Sequence, residues 1–200
     1  MKVLVIGGSG LIGGAAADAL EAYGDEVLRA SRSSGLHVDL KDPASIEALF
    51  EQVGSVDAVI TAVGSVPYKP LTELTREDYL AGFYGKALAQ LDVVRTGIPY
   101  VTDGGSFTVT TGILVREPIR TGVVSSVANG ALEAFVLAAA TGMPRGIRIN
   151  AVSPTVLTEA TAHHAAFPGF PQVPAATVAQ AYVKAVKGVQ TGKVFALDGP

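Results

Sequence analysis

The 200-residue chain contains no cysteine, which excludes disulfides, thiolate nucleophiles and cysteine-type zinc sites together. Charge is also scarce, with Asp, Glu, Lys and Arg at 16% of residues against about 25% in an average globular chain. Set beside 48% apolar residues, that scarcity excludes disorder and implies extensive burial. The formal net charge is −3 and no block of Lys or Arg occurs, so neither nucleic acid nor a membrane surface is indicated as a partner. Long apolar runs are missing too: nothing approaches the roughly 20 residues of a membrane span, and Val3 to Ile6 is too short for a secretion signal. The reading is a soluble, cytoplasmic protein, and the length suits a single domain over 1–200.

What is present is an alternation of β-branched patches with helix-period segments, the pattern of β-α-β units around a parallel sheet. Strands are expected at 2–6, 26–30, 36–39, 57–62, 105–111, 147–152 and 193–197. Ile12, Ala16, Ala19, Leu20 and Tyr23 keep helical spacing, as do Ile46, Leu49, Phe50 and Val53, then Leu80, Phe83, Ala87, Leu91 and Val94. Asp42 before Pro43 reads as a helix cap with a first-turn proline, and Thr75 with Asp78 marks another helix start. The stretch 154–174 holds prolines at 154, 168, 171 and 174 with two histidines and two phenylalanines. It reads as a lid over a substrate pocket, the alternative being a packed surface loop.

The first strand runs into Gly7-Gly8-Ser9-Gly10-Leu11-Ile12-Gly13, where glycines permit a tight turn and let a pyrophosphate approach the N–H groups that open the next helix. This is a dinucleotide signal. At the end of the second strand, where an acid would hold the ribose 2′-hydroxyl of NAD, the chain has Ser31-Arg32-Ser33-Ser34. Arg32 with the Ser31, Ser33 and Ser34 hydroxyls can clamp a 2′-phosphate, so NADP is favoured and NAD is the alternative.

Several segments together resemble the short-chain dehydrogenase/reductase family over nearly the whole chain. They are the glycine turn, Val38-Asp39-Leu40, Ala62-Val63-Gly64 in the place of Asn-Ala-Gly, Gly105 to Thr111, Ala131-Leu132-Glu133-Ala134-Phe135, Gly146-Ile147-Arg148-Ile149-Asn150-Ala151-Val152-Ser153-Pro154, and Leu197-Asp198-Gly199. The resemblance implies an α/β fold, a doubly wound (Rossmann) parallel sheet of about seven strands flanked by helices. It also implies that Asp39 and Leu40 lie at the adenine and that Pro154, Thr155 and Thr158 lie by the nicotinamide. Homodimers or homotetramers built through helices at 75–96 and 119–141 follow from the same resemblance.

The family's Tyr-x-x-x-Lys pair is the point of departure. Alignment through Ala131 to Phe135 puts Ser125 at the tyrosine and Asn129 at the lysine, and a serine hydroxyl beside a neutral amide is a poor proton donor. Thr111 falls approximately at the family's catalytic serine. Lys86 aligns with its active-site asparagine and offers a substitute cation, with Tyr84 the next candidate acid. His163 and His164 with Glu159 are too few for a metal site, although one histidine can serve as a lid-borne acid or base. The function expected is an NADP-dependent oxidoreductase of atypical short-chain type, acting on a carbonyl or conjugated double bond of a small, partly apolar substrate. In it Lys86 stabilises the developing anion and Thr111 holds the substrate oxygen. The alternatives are a dinucleotide-binding sensor or interaction module without hydride chemistry, and an isomerase or lyase that reuses the pocket.

Overall fold

Val3, Leu4, Val5 and Ile6 are all buried, which a strand achieves only when both faces of its sheet are covered. In the computed structural model, which describes residues 1–199, they form β1 (Lys2–Ile6). The other strands are β2 (Glu26–Ser31), β3 (Leu36–His37), β4 (Val56–Thr61), β5 (Val101–Thr110), β6 (Arg148–Pro154) and β7 (Val194–Leu197). All neighbours pair in parallel, in the order β3-β2-β1-β4-β5-β6-β7. Each expected strand is found. β5 starts earlier than expected because the register between it and β4 shifts between Val56 and Ala58, adding an irregular lead-in. β3 is shorter because the Asp39 N–H leaves the sheet to donate to Ser45 Oγ at 2.9 Å.

The helices are α1 (Leu11–Ala22), α2 (Pro43–Val53), α3 (Arg76–Gly82), α4 (Ala89–Gly97), α5 (Val123–Ala139) and α6 (Ala175–Lys187). Side chains alternate across each strand, so β1 sends Val3 and Val5 toward Ala16, Leu20 and Tyr182 of α1 and α6. Leu4 and Ile6 point the other way, to the cluster of Ile46, Phe50, Val93 and Leu132 from α2, α4 and α5. The two expected caps are formed: Asp42 accepts from the Ala44 N–H at 3.0 Å, and Thr75 and Asp78 make a reciprocal capping box. No helix among the described residues is long and apolar enough to cross a membrane.

The helical spacing over 75–96 resolves into α3, a π-helical turn at Phe83–Leu88 and α4. The turn forms where the chain leaving β4 comes against the helix. Ser65 N–H donates to Gly85 O at 3.1 Å, and a Cβ on Gly85 would stand 2.5 Å from Ser65 O. Such turns recur at functional sites because they re-aim neighbouring side chains; here the next residue is Lys86.

A buried clamp fixes the strand ends below it. Gln90 Oε1 accepts from Thr61 Oγ1 at 2.7 Å and from the Thr110 N–H at 2.8 Å, while Nε2 donates to Thr110 O at 2.9 Å and Val63 O at 3.2 Å. Gln90→Leu keeps the volume and orphans several of these groups. It is expected to destabilise the protein by about 3 kcal/mol, read as a lower urea midpoint at unchanged slope. A shift below about 1 kcal/mol would show that the clamp is dispensable.

Candidate active site

Strand order reverses between β1 and β4, and in open parallel sheets ligands enter the crevice beyond the strand C-termini at such a point. β1 leads into Gly7 and β4 into Ala62-Val63-Gly64. Gly7 adopts φ +87°, and a Cβ there would lie 2.4 Å from Ala62 O. A Cβ on Gly13 would lie 2.2 Å from Gly7 O. These two glycines let α1 begin flush against the turn. α1 has neither the side-chain cap that α2 and α3 carry nor an acid in its first turn, so its opening N–H groups and dipole remain available to an anion.

A cavity of about 350 Å³ lies in front of this turn. Gly7, Ser9, Gly10, Ser31, Arg32, Ser33, Asp39, Leu40, Ala62, Val63 and Gly64 all line it, as do Lys41, Ser65 and Tyr84. Tyr84 therefore sits at the cofactor-type cavity and away from the second one described below. Lys41, unremarked in the sequence, brings a second cation to the cavity that Arg32 lines. Ser31 Oγ is taken up within its own turn, donating to Ser34 O at 2.7 Å and accepting from Ser34 N–H at 2.9 Å. It shapes the loop that presents Arg32, which is exposed and makes no ion pair among the described residues. Leu11 is exposed on α1. Thr158, expected by the nicotinamide, is exposed outside both cavities, its N–H donating to Val173 O at 3.0 Å.

A second cavity, about 220 Å³, gathers Ile12, Lys86, Thr111, Gly112, Ser125, Asn129, Pro154 and Thr155. Its cover comes from the proline-rich stretch, where Leu157, Ala160, His163 and Phe167 face it. This stretch is tied down. Phe167 packs edge-on against Phe170 at 5.3 Å, Thr155 Oγ1 donates to Pro171 O at 3.0 Å, and His164 is held 2.9 Å from Leu157 O. Glu159 accepts the Ala175 N–H at 3.0 Å and so caps α6. Tyr68, not foreseen from the sequence, also lines this cavity.

Ser125 and Asn129 stand one turn apart on α5, both buried, with Asn129 Nδ2 3.4 Å from Ser125 Oγ and Asn129 Oδ1 without a partner. Thr111 lines the cavity as expected, but its hydroxyl's proton is committed elsewhere. That hydroxyl donates to Glu133 Oε1 at 3.0 Å, an atom that also receives Ser153 Oγ and Arg116 Nη1. The residue that faces Asn129 is Gly112, where a Cβ would be 3.3 Å from Asn129 Nδ2. Side chains alternate along an extended segment, so one residue of alignment slack exchanges the two faces.

Lys86 crosses from α4's side to this cavity. Its stem lies over Gly64, where a Cβ would be 2.9 Å from Lys86 Cδ, and its Nζ is 3.4 Å from Thr111 O. Burial without a carboxylate partner pulls its pKa from 10.5 down to about 8, because desolvation disfavours the charged form.

Comparison with known proteins identifies the family. The chain belongs to the short-chain dehydrogenase/reductase family: the family model described as Enoyl-(Acyl carrier protein) reductase matches residues 9–196. The protein lin1944 from Listeria innocua is similar at 47% identity, covering 98% of each chain with a TM-score of 0.95. A small-chain dehydrogenase in complex with NADPH is similar at 27% identity, covering 99% of this chain and 96% of that one, with a TM-score of 0.89. Hydroxynaphthalene reductase of Aspergillus fumigatus is 27% identical over 142 residues, 68% of this chain and 50% of that protein. The match thus spans about half the length of the first curated relatives.

Proposed function

We propose that this chain is an NADP-dependent oxidoreductase of atypical short-chain type, reducing a carbonyl or a conjugated double bond of a small, partly apolar substrate. The observation that carries the reading is the position of Lys86, which bridges Gly64 of the first cavity and Thr111 of the second. NADPH, when bound, supplies a hydride. The uncapped α1 terminus and the turn through Gly7, Gly10 and Gly13 take the pyrophosphate, Arg32 and Lys41 the 2′-phosphate, and Asp39 and Leu40 the adenine side. Asn129, through its unpartnered Oδ1, accepts a hydroxyl at the far end of the groove. Lys86 stabilises negative charge on the substrate oxygen and passes it a proton, while the 154–174 cover limits water.

No tyrosine of the chain is followed four residues later by lysine, which favours the sensor module as the second reading. The NADPH complex of a 27%-identical neighbour supports the cofactor assignment. Leu80, Phe83 and Val127, exposed on the helices at 75–96 and 119–141, support self-association. The deciding experiment is NADPH titration followed by NADPH oxidation against a carbonyl and enone panel. Binding with turnover is expected; binding without turnover moves the assignment to the sensor. Arg32→Ala should weaken NADPH by about one to two decades, the worth of a charge-assisted contact of about 1.5–3 kcal/mol, and leave NADH nearly unaffected. Parallel calorimetry with both nucleotides checks this, and a wild type that prefers NADH overturns the clamp.

A further inference from the structure

The second cavity has a cation and no anion. The titratable side chains lining it are Tyr68, Lys86 and His163, and no Asp or Glu is among its walls. The carboxylate on the other side of Thr111, Glu133, is already matched by Arg116 at 3.2 Å and by two hydroxyls. Asp39, at the first cavity, accepts from the Lys41 N–H. Lys86 makes no ion pair among the described residues, and its one acceptor is the Thr111 carbonyl at 3.4 Å. An ammonium has three N–H donors, so two remain for whatever enters. Beside it, Asn129 Oδ1 is a buried acceptor without a donor. The remaining walls include Ile113, Leu114 and Val156.

A half-buried cation without a counter-charge is stabilised by a ligand that brings one. A neutral ketone engages one of the two free donors and leaves the charge uncompensated. A carboxylate adjacent to the carbonyl engages both and neutralises the site.

Resting on the oxidoreductase reading above, we propose that the substrate is a 2-oxo acid with a small apolar side chain, its carboxylate and its carbonyl oxygen both held by Lys86. In the reaction the carbonyl carbon gains the hydride of NADPH and the carbonyl oxygen gains a proton from Lys86. The products are the 2-hydroxy acid and NADP, and the lysine amine is re-protonated from solvent. Asn129 Oδ1 accepts a hydrogen bond from a hydroxyl, as the alcohol product offers.

Oxamate, a non-reducible 2-oxo acid analogue, and oxamide, its neutral counterpart, test this on the NADPH-bound protein by calorimetry. Oxamate should bind about ten- to a hundredfold more tightly than oxamide, and Lys86→Met should erase the difference. In the wild type, oxamate affinity should be full below pH 8 and fall as the pH rises above it, because the ammonium is lost there; this readout does not depend on the variant folding. Equal affinities, a preference that survives in Lys86→Met, or a flat pH profile would each overturn the proposal. Failure of the wild type to bind NADPH would instead overturn the oxidoreductase reading, and this one with it.

Discussion

Lys86→Met should lower turnover on an established substrate by about two to four decades while leaving NADPH affinity nearly intact, the usual scale for losing an acid or an oxyanion partner. The magnitude follows from what else is available. Ser125 and Asn129 are neutral and Gly112 has no side chain, so in the proposed mechanism Lys86 is the cation that meets the developing charge. The pH profile gives a second check. With the pKa near 8, the proton is present below that value, and turnover should fall as pH rises through it; that limb should vanish in the variant. Stability should move the other way. Because the folded-state pKa lies below the ordinary 10.5, the unfolded chain binds the extra proton between the two values, so wild-type stability from this group rises with pH across that window. Methionine removes the buried charge, so the variant should be no less stable at neutral pH and yet far less active. Undiminished turnover would remove Lys86 from the mechanism.

Gly13→Val should weaken NADPH binding by about two decades or more. A Cβ at this position meets Gly7 O at 2.2 Å and Ala62 Cβ at 3.2 Å, and the first of these is backbone that cannot rotate away. α1 must retreat, and its N–H groups no longer converge on the pyrophosphate, with about 1.5–3 kcal/mol lost for each charged contact. Overpacking adds about 1–3 kcal/mol of instability. Gly14→Ala is the matched control: its Cβ would meet Gly8 O at 3.6 Å, an ordinary contact, so helix propensity should leave stability equal or higher. Calorimetry with NADPH on both variants separates the outcomes, and wild-type affinity in Gly13→Val would refute the cradle.

The strands were legible because burial on both faces writes itself as runs such as Val3 to Ile6, and α2 and α3 because Asp42 and Thr75 carry their caps locally. α6 left no such mark. It begins after Pro174 and its opening N–H is satisfied by Glu159, a partner distant in sequence. The π-helical turn depends on the approach of Ser65 to Gly85, a tertiary contact that no local pattern encodes. The glycine turn was readable because Gly7 to Gly13 is contiguous in sequence, and the eight further residues read with it, Ser31 to Ser33, Asp39, Leu40 and Ala62 to Gly64, line the same cavity from the ends of neighbouring strands. Thr111 does lie in the wall of the second cavity, but the engagement of its hydroxyl by Glu133 is a tertiary pairing that no local pattern encodes.

The contact between Gly64 and Lys86 couples what each position can accept. A methyl group at 64 would press on Lys86 Cδ at 2.9 Å and Cγ at 3.0 Å, displacing the ammonium through its stem. Alanine at 64 is therefore harmful while the long side chain is retained and close to neutral once it has been shortened, so the effects of the two changes do not add. The order in which the two changes are made therefore matters: Gly64→Ala should be tolerated in a Lys86→Ala background and costly in the wild type.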